Sequence, residues 1–145
     1  MDTATQHLIK HGIRPSVQRV AIMDYLLTHR THPTVDAIYR DLLEEVPTLS
    51  RTTVYNTLEL LAQNNAALAL TIDSRNVHYD GCTVPHAHFL CRHCGHIADL
   101  PLESSLRRPS QLPAGCKVED VQLNYIGICE DCSRKLKAQA KAQQN

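Results

Sequence analysis

The stretch HYDGCTVPHAHFLCRHCGHIAD, His78 to Asp99, divides this chain of 145 residues in two. Its 22 residues hold Asp80, Cys82, His86, His88, Cys91, His93, Cys94, His96 and Asp99, all side chains able to bind a metal. Two kinds of donor are interleaved. Cys91-x-x-Cys94 offers thiolates, whereas Asp80, His86, His88 and Asp99 offer nitrogen and oxygen. Gly81 to Pro85 interrupts any regular element, so a hinge is expected at 82–85. One domain is then expected over 1–81 and a second over 86–145.

Upstream of this stretch the apolar residues recur at helical spacing. Thr3 to Lys10 reads as a short helix ended at Gly12. Ser16 is placed to cap a second helix running to about His29, with Val20, Met23 and Leu27 on one side. Thr34 caps a third, with Val35, Ile38, Leu42 and Leu43 as its apolar stripe, closed by Pro47. Ser50 caps a fourth, Arg51 to about Asn64, whose apolar face is Val54, Leu58, Leu61 and Ala62. The opposite face shows Thr52, Tyr55, Asn56, Glu59 and Gln63. Two successive capped helices, the second with a polar face, make a helix-turn-helix. Leu68–Ile72 and Val77–Tyr79 flank Asp73-Ser74-Arg75-Asn76 as the arms of a hairpin. Helices followed by a hairpin make a winged helix.

Downstream, short strands are expected around His86–Leu90, His96–Leu100 and Val118–Tyr125, and a helix from Asp131. The fold class is therefore α+β: an N-terminal winged helix-turn-helix domain, then a small α/β dimerisation domain with a four-cysteine zinc site. The zinc site rests on two C-x-x-C knuckles, Cys91/Cys94 and Cys129/Cys132, separated by 34 residues. Each knuckle points two sulfurs at one ion, and two knuckles supply the four thiolates of a structural Zn2+ site. Two local redox pairs, or one chance knuckle, are the alternatives. Cys82 and Cys116 read as ordinary thiols. His86 and His88, at i and i+2 of an extended segment, face the same way and can share one ion, with Asp80 and Asp99 as added ligands. Such a nitrogen and carboxylate set suits iron(II), manganese or zinc; unligated surface histidines are the alternative.

Composition narrows the class. The chain is 43% apolar with one Phe, five Tyr and no Trp, so its core is aliphatic. Net charge is zero, and residues 1–80 carry seven Lys and Arg against nine Asp and Glu. Any DNA contact must come from local Arg placement rather than overall charge. The start, MDTATQHLIKHG, has no apolar run of signal length, and no segment approaches a membrane span. A cytoplasmic protein is expected, in which six cysteines indicate metal or redox chemistry rather than disulfides.

The order of motifs resembles the Fur family of bacterial metal-dependent repressors over essentially the whole chain. The matching stretches are Gly12-Ile-Arg-Pro-Ser-Val-Gln-Arg19, His32-Pro-Thr-Val-Asp-Ala-Ile-Tyr39 and Ser50-Arg-Thr-Thr-Val-Tyr-Asn-Thr-Leu58. His86-x-His88-x-x-Cys91-x-x-Cys94-Gly95 and the second knuckle follow. Within that family the chain is most similar to the peroxide-sensing PerR branch, built around three His and two Asp. The matching positions are His32, Asp80, His86, His88 and Asp99.

The resemblance implies a repressor whose regulatory metal, Fe2+ or Mn2+ with Zn2+ as a further option, locks a homodimer on double-stranded operator DNA. It implies that peroxide reacting at bound iron oxidises His32 and His86 and so ends repression. Thr52, Tyr55 and Asn56 would face the major groove, while Arg14, Arg19 and Arg51 would position phosphates. A twofold dimer reads a palindromic site, and the strands around Val118–Ile126 with the C-terminal region are expected to pair. An iron- or zinc-responsive uptake repressor, Fur-like or Zur-like, is the alternative within the family, with Cys82 near the place of a hinge cysteine in the zinc-sensing branch. A zinc hydrolase or a thiol redox switch are the alternatives outside it. No general base in a recognisable motif and no Gly-rich substrate loop supports an enzyme.

Overall fold

A computed structural model describes residues 2–144. The chain forms two compact units, the first ending at Val84 and the second beginning at Pro85.

The first unit contains α1 (Thr3–Lys10), α2 (Val17–Thr28), α3 (Val35–Leu42), α4 (Arg51–Gln63), β1 (Leu68–Leu70) and β2 (His78–Asp80). Every helix starts at a side-chain cap. Ser16 accepts from the Arg19 N–H, Thr34 from Ala37 and Ser50 from Thr53, at 3.2, 3.2 and 3.1 Å. Asp2 caps α1 by accepting from Thr5 at 2.6 Å. Each cap satisfies an amide the helix leaves open and contributes about 1 kcal/mol. Helix α1 ends where Gly12 takes φ +74°, and Ile13 N–H returns to Leu8 O at 2.9 Å. That left-handed turn favours glycine.

The core joins Leu8, Ile22, Met23, Leu26, Ile38, Val54, Leu58 and Leu61, all fully buried, with Tyr79 from β2. The buried side of α2 centres on Ile22, Met23 and Leu26, whereas Val20 and Leu27 are half-buried. This departs from the expected Val20–Met23–Leu27 stripe, because α2 packs against α1, α3 and α4 and buries a broad face. Strands β1 and β2 pair antiparallel, Leu68 opposite Asp80 and Leu70 opposite His78, and form the wing. Past β2 the backbone brushes α2: a β-carbon at Gly81 would lie 2.8 Å from the Leu26 carbonyl oxygen. Only glycine fits there without movement.

The second unit contains β3 (Ala87–Cys91), β4 (Ile97–Leu100), β5 (Asn124–Gly127) and α5 (Glu130–Gln143), with a 3-10 turn at Ser104–Arg107. The sheet order is β4-β3-β5. Strand β4 runs antiparallel to β3, with His88 opposite Asp99; β5 runs parallel to β3, with Cys91 opposite Gly127. The last strand is later and shorter than the expected Val118–Tyr125. Pairing begins where His88 N–H meets Leu123 O at 3.1 Å, and residues 118–122 are exposed with no strand beside them. Among the described residues, no helix is long and apolar enough to cross a membrane.

Candidate metal centres and nucleic-acid surface

The thiolate centre is assembled by the parallel pairing of β5 with β3. Strand β3 delivers Cys91 at its end, and a tight turn with Gly95 at φ +80° returns the chain, closed by Gly95 N–H to Cys91 O at 2.8 Å. Arg92 N–H donates to Gly127 O at 2.8 Å, which ties this first knuckle to the end of β5. Two residues later Cys129 caps α5, its sulfur accepting from the Cys132 N–H at 3.5 Å; Cys91 accepts from Cys94 N–H in the same way at 3.5 Å. Strand pairing therefore brings together two knuckles that lie far apart in sequence.

Sulfur positions in Cys91, Cys94, Cys129 and Cys132 all lie within 4.8 Å of one another. Cys94 and Cys129 sulfurs are 3.9 Å apart. A tetrahedron of Zn–S bonds of about 2.3 Å has S–S edges of about 3.8 Å, whereas a disulfide needs about 2.05 Å. All six cysteines are unbridged, so the four fit zinc. Four sulfurs this close cannot all be anionic without a cation among them, and their acidities split. Backbone hydrogen bonds, from Cys129 and then Cys94, hold the Cys91 thiol down at about 5. The hydrogen bond with Cys129, then burial, pushes Cys132 up to about 12.

Each unit carries nitrogen and oxygen donors of its own. In the first, His32 follows α2 with its backbone in the left-handed region, φ +54°. Its Nε2 faces Asp80 Oδ2 at 3.6 Å, and both side chains are buried. The other carboxylate oxygen, Asp80 Oδ1, accepts from Cys82 N–H at 2.9 Å. In the second, one carboxylate oxygen serves two rings. Asp99 Oδ1 lies 3.2 Å from His86 Nε2 and 3.3 Å from His88 Nε2. The two imidazoles sit edge to face with centroids 4.4 Å apart. The i, i+2 spacing and the register of β4 on β3 produce this convergence. Cys82 is half-buried and Cys116 exposed.

On α4 the polar face is open. Thr52 and Asn56 are exposed, and Tyr55 is 51% exposed while Val54 and Leu58 are buried. Arg51 is held rather than loose: its Nε donates to Asp36 at 2.9 Å and its guanidinium lies 4.6 Å over the Tyr39 ring. Arg14 is exposed, and Arg19 Nη1 donates to its carbonyl at 2.9 Å. Sequence reasoning missed Asp36, Tyr39 and His78 as partners of site residues. All three act across loops, and only Asp36, in the first turn of α3, carried even a charge signal.

The chain matches known proteins over most of its length. The ferric uptake regulator family matches residues 10–126. The peroxide operon regulator of Bacillus subtilis is 36% identical over 135 residues, 91% of this chain and 92% of the relative. A solved structure described as the basis for peroxide sensing and gene regulation by PerR from Streptococcus pyogenes aligns at TM-score 0.51. It is 31% identical and covers 91% of this chain and 94% of that one. The Helicobacter pylori ferric uptake regulator Fur superposes at TM-score 0.70 over 91% of this chain and 95% of its own. At 19% identity that likeness speaks to the fold alone.

Proposed function

This chain belongs to the ferric uptake regulator family, and we propose that within it the protein is a metal-dependent repressor that senses peroxide. One observation carries the reading most: Asp99 Oδ1 meets both His86 and His88 Nε2 at 3.2 and 3.3 Å. Two imidazoles and a carboxylate are a donor set suited to iron(II) or manganese, apart from the sulfurs that suit zinc. The peroxide-responsive names of the relatives agree with it.

His32 and Asp80 are further ligands of the regulatory metal. Zn2+ fills the four-cysteine centre and has a structural role. Iron(II), when bound, would supply the one electron that cleaves the peroxide O–O bond to hydroxide and a hydroxyl radical, the oxidant that attacks a ligand imidazole. His32 and His86 are the side chains that gain oxygen, and an oxidised imidazole is a poorer ligand. Manganese supports DNA binding without this chemistry. Loss of the metal releases the DNA.

A homodimer binds a palindromic operator. Thr52, Tyr55 and Asn56 read base edges; Arg14, Arg19 and Arg51 position phosphates. The exposed apolar residues Val118, Val121, Tyr125 and Ile126, the last 60% exposed, suit a dimer face.

The test loads the protein with iron(II) without oxygen, adds a small dose of peroxide and maps the peptides by mass. One added oxygen on the peptides carrying His32 or His86, with zinc retained, is expected. Unmodified histidines, with DNA binding that instead tracks added zinc or iron, would remove the peroxide reading and leave a nutrient-metal repressor.

A further inference from the structure

His78 belongs to none of the donor groups above, yet it grips one of their members. Its imidazole spans two fixed oxygens: Nδ1 donates to the His32 carbonyl at 2.7 Å, and Nε2 faces Asp73 Oδ2 at 3.0 Å. Asp73 is itself anchored in the wing turn, where its Oδ1 accepts from the Arg75 N–H at 2.9 Å. That backbone bond, and then the bond from His78, hold the Asp73 carboxyl below its ordinary range.

The far end of this strut is a strained place. His32 has φ +54°, a conformation that residues with a β-carbon seldom adopt unless their surroundings hold them there. The next carbonyl, Pro33 O, accepts from Tyr79 N–H at 2.9 Å. Strand β2 therefore holds two consecutive carbonyls, one through a backbone amide and one through the His78 ring. Any residue at position 79 but proline supplies the first bond. The second needs a donor at the reach of an imidazole Nδ1.

We propose that His78 is a positioning residue for His32, fixing the left-handed backbone that aims the His32 imidazole at Asp80 and tying that ligand to the wing turn. The proposal rests on the reading of His32 as a ligand of the regulatory metal. Groups that orient a metal ligand are commonly worth tenfold or more in affinity.

Two amide substitutions separate reach from polarity. The side-chain nitrogen of His78→Asn lies where Nδ1 lies and can still donate to the His32 carbonyl. That of His78→Gln lies near Nε2 and reaches Asp73 instead. Manganese(II) is titrated into the full-length zinc-loaded protein, and free ion is counted by its paramagnetic resonance signal. The expected result is a loss of about tenfold in affinity for His78→Gln, affinity near the unsubstituted value for His78→Asn, and no further loss when His78→Gln is added to His32→Ala. Equal affinities for the Asn and Gln variants would overturn the proposal, as would a full His78→Gln loss persisting in the His32→Ala background. If His32→Ala alone leaves manganese affinity unchanged, the ligand reading fails first and the positioning role fails with it.

Discussion

The two units of this chain keep their shape by different means. The N-terminal unit closes around an aliphatic core, where Leu8, Ile22, Leu26, Ile38, Leu58 and Leu61 are wholly inaccessible to solvent. The C-terminal unit buries Ala87, Leu90 and Ile97 among its apolar residues, and residues 108–122 are exposed throughout. What it has in their place is four sulfurs at the junction of β3, β5 and α5. The contrast teaches a division of labour. The helical unit is stabilised by packing, and a small sheet with little to bury has instead four sulfurs placed to hold a cation.

Zinc removal is the strongest way to break this contrast. Structural zinc sites carry apparent binding free energies of about 10–16 kcal/mol, more than three buried aliphatic side chains contribute. Chelation, or Cys132→Ser, is expected to abolish amide protection in β3 and β5 while α4 stays protected in hydrogen exchange. Equal loss in α4 would mean that the units do not differ in this way.

The complementary change is Leu58→Ala. It empties a site of zero exposure in the N-terminal core and should cost about 2–5 kcal/mol. Denaturant unfolding followed by helix signal measures it. Zinc retention, followed by a colorimetric chelator under native conditions, should be unchanged. Zinc release by this variant in native buffer would show that the core supports the thiolate centre.

The smallest expected effect sharpens the picture of the N-terminal unit. Tyr25 OH donates to Asp41 Oδ2 at 2.6 Å. That bond is the largest cause holding the Asp41 carboxyl below its usual range, while burial, then the same bond, pushes Tyr25 up to about 12. A depressed carboxyl stabilises the fold above its unfolded value and loses that contribution as pH falls through the native one. A raised phenol contributes below about pH 10 and loses it on the way to 12. Tyr25→Phe should therefore lower the melting temperature slightly between about pH 4 and 10, with the difference shrinking in more acidic solution. A pH-independent difference would assign the effect to packing.

Local chemistry made much of the fold legible. Ser16, Thr34 and Ser50 cap helices because a hydroxyl three residues ahead of an open amide accepts from it whatever surrounds the helix. The wing was legible from Leu68–Ile72 and Val77–Tyr79 flanking a polar turn, though β1 ends at Leu70 and β2 is shifted by one residue to His78–Asp80. The late start of β5 was not legible. Val121, Leu123 and Tyr125 alternate well enough for a strand, but a strand needs a neighbour, and β3 offers one only from Leu123 onward.

By itself the sequence determined which residues could serve: two C-x-x-C turns whose sulfurs must converge, a His-x-His pair that must share a face, and an α4 with one polar side. These follow from spacing within a turn, a strand or a helix, which the backbone imposes locally. Tertiary structure alone decided which distant groups meet. Parallel pairing of β5 with β3 puts Cys129 beside Cys94, the register of β4 sets Asp99 between two imidazoles, and His78 reaches back to a carbonyl 46 positions earlier. Each of those meetings depends on chain closure across long loops. No local spacing rule encodes it, because the partners become neighbours only when the sheet and the core have formed.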